Sequence, residues 1–217
     1  MKTLAATLIG LSLLLLGSCR KFEQEKIIRE HEAFTPTNLY PTERLPAYMV
    51  RVAVLPLHYP DPDSALFEYV DETFHHELAK QRLFETIVVT PEKMKDLFGS
   101  SRLHSAAELP ENFLSTIASA TGANGALFVD LHGYRPYRPL SLGVRAKLVD
   151  LRSADFLWAI DETFDSARAE IQKSANLFQR SSQVHNLSGR TSGSVLSSPR
   201  AFAKYVAATT YSTLPAR

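Results

Sequence analysis

Three strand-like runs near the middle of the chain limit the fold more than any other feature of the sequence. The runs are ANGALFVDLHGY (123–134), LSLGVRAKLVDL (140–151) and ADFLWAIDETF (154–164), joined by the short links RPYRP and RSA. Parallel strands need a long crossover between them, whereas antiparallel neighbours can be joined by a few residues. The sequence therefore predicts an antiparallel three-stranded meander.

Other segments predict two more strands and a set of helices around this meander. YMVRVAVLPL and ETIVVT read as buried strands. Pro91 and Pro199 suit the first turns of two helices, and Gly122 suits the end of another. The last helix offers four candidate core contacts, namely Phe202, Tyr205, Val206 and Tyr211. The order β-α-β-α-α-β-β-β-α-α predicts one α/β domain over residues 48–217, a mixed sheet with helices packed on it, and a mobile Ser- and Gly-rich loop at 181–198.

The first 18 residues have the build of an export signal. Lys2 precedes an apolar run that ends at Leu16, followed by Gly17 and Ser18. The run is shorter than the roughly 20 residues that a transmembrane helix needs. We therefore expect residues 1–18 to be removed.

Cys19 ends a motif, LGSC, that resembles the bacterial lipobox. The resemblance implies cleavage just before Cys19 and lipid attached to its thiol. Cys19 is the only cysteine in the 217 residues, so no intramolecular disulfide is possible. The alternative is that Cys19 is an ordinary apolar residue at the end of a signal cleaved elsewhere. Because Arg20 rather than Asp follows, what is known of lipoprotein sorting implies the outer membrane, with the body facing the periplasm.

Residues 19–47 are polar and carry Pro36, Pro41 and Pro46. This composition predicts a lipidated N-terminus and a flexible tether that leads from the membrane to the domain.

Charge and motif content exclude several classes of function. The chain has 24 basic and 23 acidic residues, and loss of Lys2 with the signal leaves it formally neutral, so a nucleic acid partner is not expected. No GxxxxGK[ST] or GxGxxG loop occurs, which argues against nucleotide binding. No GxSxG occurs either, and the lone cysteine is at the anchor. The sequence thus predicts no catalytic residue and no cofactor apart from the covalent lipid.

Two polar clusters are better explained by solvation than by chemistry. His75, His76 and Glu77 are adjacent on a helix and point about 100° apart, which does not suit a zinc motif, so we expect a solvated helix face and no metal site. Asp161 and Glu162 point to opposite faces of a strand. With Asp165, they are expected to be solvated acids rather than a catalytic pair.

Several segments between residues 50 and 165 resemble a group of periplasmic lipoproteins that includes the curli-secretion protein CsgG and the penicillin-binding-protein activator LpoB. The segments are RVAVLPL, ATGANGALFVDLHGY and VRAKLVDLRSADFLWAIDETF, and the group's features fall on Pro56, Gly122, Ala123, Val149, Asp150 and Trp158. The RSAD turn departs from the Thr-Gly that relatives often have there. The resemblance implies an α/β lipoprotein that acts by binding, as a pore, an activator or an assembly factor.

The turn GYRPYRPL is the strongest surface candidate for partner binding. Tyr134, Arg135, Tyr137 and Arg138 are of the types that concentrate in interface hot spots, and two prolines stiffen the turn. The alternative is that the prolines end the strands and that the arginines are solvated and block edge pairing.

These observations predict a non-catalytic, lipid-anchored envelope protein that binds a periplasmic or membrane partner, which includes a second copy of itself, in assembly, transport or activation. An alternative is an oligomeric subunit of a CsgG-like secretion pore. The one spare segment for membrane-facing strands, 181–198, has only Val184, Leu187, Val195 and Leu196 as apolar residues. An envelope enzyme is the third and weakest hypothesis.

Overall fold

The computed structural model describes residues 34–60, 69–185 and 194–217, which hold a six-stranded sheet and five α-helices. The strands are β1 (Leu39–Pro41), β2 (Arg51–Val54), β3 (Glu85–Val88), β4 (Gly125–Arg135), β5 (Ser141–Asp150) and β6 (Phe156–Asp165). The helices are α1 (Val70–Ala79), α2 (Pro91–Phe98), α3 (Phe113–Thr121), α4 (Ala169–His185) and α5 (Pro199–Tyr211). None of the helices in these three ranges is long and apolar enough to cross a membrane.

The sheet is mixed, with the strand order β1-β6-β5-β4-β2-β3. β4, β5 and β6 pair antiparallel, which confirms the predicted meander. β2 pairs parallel with both β3 and β4, because α1 and then α2 and α3 carry the chain back across the sheet between these strands. The predicted α/β class is therefore confirmed.

Part of the segment that the sequence predicts to be a flexible tether forms an edge of the sheet. Leu39–Pro41 pair antiparallel with β6. The backbone N–H and the hydroxyl of Thr37 donate to Glu162 Oε2 at 3.0 and 3.2 Å. The Phe34 ring packs edge-on against a core phenylalanine of β6, with ring centroids 5.6 Å apart. The tether prediction is thus wrong for residues 34–47, because prolines are compatible with a short edge strand.

One face of the sheet is covered by α1, α4 and α5, which form the larger hydrophobic core. Trp158 of β6 is fully buried there, and its Nε1–H donates to Thr213 Oγ1 at 3.0 Å. All four predicted core residues of α5 are buried, namely Phe202, Tyr205, Val206 and Tyr211. Burial of a Val or Phe side chain contributes about 1.5–3 kcal/mol, so α5 is a major source of stability.

The opposite face of the sheet is covered over only part of its width. α2 and α3 place Met94, Phe113 and Ile117 against β2 and β4, and a second core forms there. Val149 at the end of β5 completes this core. In the parts of the chain that the structure describes, no helix lies over the same face of β6 and β1, and their side chains on that face are half-buried or exposed.

Local sequence signals determine the helix ends as predicted. Pro91 and Pro199 are the first residues of α2 and α5, where a missing N–H has no cost. Thr90 and Ser198 cap these helices by accepting a backbone N–H. Gly122 ends α3 with a φ of +64°, a conformation that glycine adopts without strain.

Both described ends of the segment 181–198, which the sequence predicts to be a mobile loop, form regular structure. α4 continues to His185, and Val195–Ser197 form a 3-10 turn. The Val195 N–H donates to Gln179 Oε1 at 3.0 Å, which attaches this turn to α4. Residues 186–193 lie outside the described residues.

His75, His76 and Glu77 do not form the solvated face that the sequence predicts. Only His76 is exposed. Glu77 is buried and accepts a hydrogen bond from Lys80 Nζ at 2.7 Å. His75 is partly buried, and its Nε2 has no hydrogen-bond partner among the described residues. Burial lowers the pKa of His75, opposed by the charge of Asp71.

The lowered pKa of His75 predicts a loss of stability in mild acid. The unfolded chain binds a proton at His75 more readily than the folded chain. This contribution to stability is therefore complete above the unfolded pKa of about 6.5 and is lost as the pH falls toward the folded pKa. One such group changes the free energy of unfolding by at most about 1.4 kcal/mol per pH unit.

Urea unfolding between about pH 7.5 and 5 measures this slope. We expect His75→Gln to flatten the slope and the exposed control His76→Gln to retain it. Equal slopes in the wild type and in His75→Gln would contradict the assignment.

Candidate functional site

The turn between β4 and β5 uses two of the four predicted partner-binding residues for its own structure. Tyr134 is half-buried against the larger core and is hydrogen-bonded to the Tyr69 hydroxyl, and burial raises the pKa of Tyr134. Arg135 Nη2 lies 3.0 Å from Asp165 Oδ2, and Arg135 Nε donates to the Pro139 carbonyl. These contacts attach the turn to the body of the domain.

The other two residues of the turn are accessible. Tyr137 is 79% exposed, and Arg138 is also exposed. The structure therefore does not bring all four predicted residues into one patch. A role for Tyr137 and Arg138 in binding stays a prediction.

The uncovered part of the second sheet face forms a broad accessible surface, named here the open half-face. Its members are Tyr40, Arg145, Lys147, Phe156, Ala159 and Asp161. They share a face because paired residues on neighbouring strands point the same way, as do residues two apart in one strand. Tyr40 pairs with Ala159, Ala159 with Lys147, and Arg145 with Asp161. Tyr40 and Phe156 are 60% and 50% exposed.

The charged groups of the open half-face contact one another. Arg145 binds Asp161 Oδ2 through Nε at 2.7 Å and Nη2 at 2.6 Å. His132 Nε2 lies 3.4 Å from Asp161 Oδ1. Lys147 Nζ lies 5.7 Å from the centroid of the Phe156 ring. A cavity of about 180 Å³ opens beside the Arg145–Asp161 pair.

His58, His104 and Asp130 form a cluster at the margin of this surface, named here the histidine–aspartate cluster. His58 follows β2 and bridges to Asp130 of β4, and His104 comes from the segment between α2 and α3. His58 Nδ1 lies 3.9 Å from Asp130 Oδ1, and His104 Nε2 lies 3.7 Å from Asp130 Oδ2. Because Asp130 pairs with Arg145 of β5, the cluster adjoins the open half-face.

Asp130 is buried and is held in place by the loop that carries His104. It is 3% exposed. The Ser105 N–H donates to both carboxylate oxygens, at 3.0 and 3.1 Å, and the Ser105 hydroxyl donates to Oδ2. Lys147 Nζ donates to the Ser105 carbonyl at 3.0 Å. Burial lowers the pKa of His58, opposed by the charge of Asp130. The cluster is thus a fixed carboxylate with two imidazoles beside it.

The sequence predicts no metal site, and the histidine–aspartate cluster has no local motif that would have revealed it. Its residues come from PLHYP, RLHS and LFVDL, three separate segments. One sequence signal points to it: Asp130 lies within the apolar run ALFVDL, where a buried carboxylate needs partners. That signal indicates a partnered acid but not the identity of the partners.

Two described residues that could suggest catalysis, Ser105 and Glu162, form structural contacts instead. The Ser105 hydroxyl donates to Asp130 rather than to a histidine, so it is not arranged as an activated nucleophile. Asp161 and Glu162 face opposite sides of β6, as predicted. Glu162, however, is 8% exposed and accepts from Arg168 Nη1 at 3.1 Å. The expectation that Glu162 is a solvated acid is therefore wrong.

Cys19, the predicted lipidation site, lies outside the described residues, as do all of residues 1–33.

No protein-family model matches the chain, and no curated protein matches it. A PelC dodecamer from Paraburkholderia phytofirmans is a similar solved structure, with 13% identity over 82% of this chain and 96% of that chain and a TM-score of 0.49. Lipoprotein GNA1162 from Neisseria meningitidis has 17% identity over 66% and 99% of the two chains and a TM-score of 0.41. The LpoB C-terminal domain from Escherichia coli has 16% identity over 53% and 82%, with a TM-score of 0.36. Likenesses this distant carry no conclusion about family or activity, and the predicted resemblance to CsgG stays a prediction.

Loss of the Asp130 carboxylate should destabilise the domain more than loss of a partly exposed acid of the same sheet face. Asp130→Ala leaves the Ser105 donors unpaired and should lower the free energy of unfolding by about 2–4 kcal/mol. Ser105→Ala removes one donor and should cost about 1 kcal/mol. Asp161→Ala is the control and should cost less than about 1 kcal/mol, because the Arg145–Asp161 pair is partly solvated. Denaturant unfolding measures all three, and equal losses for Asp130→Ala and Asp161→Ala would refute this anchoring role.

Proposed function

We propose that this chain is a lipid-anchored, non-catalytic protein of the bacterial envelope that binds another protein through the open half-face. The observation that carries the proposal is the exposure of Tyr40 and Phe156 on a sheet face that no described helix covers. A protein partner is the occupant that best suits such a face, because aromatic and arginine side chains dominate protein–protein hot spots.

The pairing of charges on the open half-face also favours a protein partner. Arg145 is neutralised by Asp161 within the face, at 2.6 Å. A docking protein would therefore contact preformed ion pairs between exposed aromatic rings rather than a surface whose charges all have the same sign. A surface of one sign would instead favour a polyanion or an anionic membrane. Tyr137 and Arg138 in the exposed turn extend the set of residues available for contact.

The location of the protein is proposed from its N-terminal sequence. Lipid on Cys19 would attach the chain to the membrane, and Arg20 favours the outer membrane. Because an extended chain spans at most about 3.3–3.6 Å per residue, residues 19–33 can separate the lipid from residue 34 by no more than about 50 Å. The open half-face would then act close to the membrane, on a partner in the periplasm or at the membrane surface.

The pore alternative has less support from the described residues. The described parts of the segment 181–198 are helical up to His185 and form a 3-10 turn at Val195–Ser197. No described feature specifically favours a pore.

Site-specific crosslinking in intact cells tests the partner surface. A photo-reactive residue in place of Tyr40 or Phe156 should give a reproducible crosslinked species, identified by mass spectrometry, because both positions lie on the open half-face. The matched control is Lys95, which is exposed on α2. A second copy of this chain counts as a partner. Equal products at Lys95, or none at either aromatic position, would refute the assignment of the surface.

Metabolic labelling with a fatty acid tests the anchor independently. Wild type should incorporate label and Cys19→Ala should not, because the thiol is the proposed attachment point. Ser18→Ala keeps a small residue before the cysteine and should retain the label. Equal labelling of wild type and Cys19→Ala would rule out the lipid on Cys19.

A further inference from the structure

We propose that the histidine–aspartate cluster binds a divalent transition-metal ion. Zn²⁺ suits a set of two imidazoles and one carboxylate, which are its common ligands together with cysteine. The proposal rests on His58, His104 and Asp130 alone and does not depend on which protein the open half-face binds.

The ligand atoms are spaced for one ion after a small closure. One nitrogen or oxygen from each of His58, His104 and Asp130 lies within 4.8 Å of the others. Zinc bonds of about 2.0–2.1 Å in a tetrahedron place ligand atoms about 3.3 Å apart. The shortest imidazole-to-carboxylate distances are 3.9 Å, from His58 to Oδ1, and 3.7 Å, from His104 to Oδ2. Because these are different oxygens of Asp130, binding of both imidazoles and one oxygen to the same ion requires the ligand atoms to approach by up to about 1.5 Å. His104 lies on the connecting segment between α2 and α3 rather than on a strand, so it can supply this closure.

His58 provides a buried nitrogen that an ion would satisfy. Its Nδ1 has no hydrogen-bond partner among the described residues. The nearest Asp130 oxygen, at 3.9 Å, is too distant for a hydrogen bond. Buried polar atoms without a partner are uncommon, and the Nδ1 of a neutral imidazole is a good metal ligand. The His58 Nδ1 atom thus faces the buried Asp130 carboxylate without a hydrogen bond between them, an arrangement that suits a cation between the two groups.

The charge of the cluster also favours a cation. Within residues 34–60, 69–185 and 194–217, no Lys or Arg pairs with Asp130, and its ionic neighbours are His58 and His104. A divalent ion would supply the compensating positive charge. The Ser105 N–H and hydroxyl hold the carboxylate in orientation, and Lys147 holds the Ser105 carbonyl. Such outer hydrogen bonds orient the ligands of metal sites.

Three protein ligands leave a fourth position of a tetrahedral ion for water or for a group of a partner. The side chains of His58 and His104 are 26% and 40% exposed, so an ion can enter from solvent. A bound ion would also join the segment that carries His104 to the segment after β2 and to the middle of β4. The site is therefore suited to an exchangeable ion that fixes this margin of the open half-face.

The first experiment measures binding of Zn²⁺ to the full-length chain by isothermal titration calorimetry. We expect one ion per chain with micromolar or tighter affinity, and a visible absorption of the Co²⁺-loaded chain with the intensity of a four-coordinate ion. The Co²⁺ band should disappear when Zn²⁺ is added, because both ions occupy the same ligands.

Variants of the cluster assign the ligands. His104→Ala and Asp130→Asn should each weaken Zn²⁺ binding at least 10-fold, and Ser105→Ala should weaken it about 10-fold through lost orientation of the carboxylate. His76→Ala removes an exposed histidine far from the cluster in sequence and should leave the affinity unchanged.

The proposal is overturned if the wild type does not bind Zn²⁺ at about 100 μM, which corresponds to roughly −5.5 kcal/mol. Unchanged affinity in His104→Ala, or an equal loss in His76→Ala, also overturns it. Where a variant fails to fold by circular dichroism, X-ray absorption of the Zn²⁺-loaded wild type decides. A first shell with two imidazoles and an oxygen supports the site, and a shell with sulfur or with oxygen alone overturns it.

Discussion

The antiparallel pairing of β4, β5 and β6 is the constraint on which the rest of the structure depends. Its register places Leu127 opposite Leu148 on the face that α1, α4 and α5 cover, and Asp130 opposite Arg145 on the other. A shift by one residue would exchange these two faces, because side chains alternate along a strand. The apolar face therefore fixes, through the register, which polar side chains stand together on the opposite face. The open half-face and the histidine–aspartate cluster both follow from this choice.

The features that the sequence predicts correctly depend on neighbouring residues in the chain. The short links of the meander, Pro91 and Gly122 at helix ends, and the apolar spacing of α5 are all local signals. The features that it predicts wrongly or misses depend on contacts between distant segments. β1 is a strand because β6 supplies its hydrogen bonds, and Glu77 is a buried residue of α1, the helix that packs against α5. The histidine–aspartate cluster needs three separate segments to meet, which no spacing rule along the chain can reveal.

Lys147 connects the two parts of the candidate site. Its ammonium group donates to the Ser105 carbonyl at 3.0 Å and lies near the Phe156 ring of the open half-face. Ser105 in turn holds the Asp130 carboxylate. A displacement of the segment that carries His104 would therefore change the position of Lys147 between this segment and the exposed aromatic ring. The cluster and the docking surface share this side chain, so they are neighbours in contact and not two independent sites.

The two edges of the sheet determine how another protein can approach this domain. β1 has three residues and covers the central part of β6, and β3 at the other edge has four. A partner that joined the sheet as an additional strand would find only a few free backbone groups at either edge, and short edge strands are one way in which proteins prevent such pairing. Recognition by strand addition is thus disfavoured on both sides. Specificity in this fold has to come from side chains on a face, where substitutions can change the partner without disturbing the hydrogen bonds of the sheet.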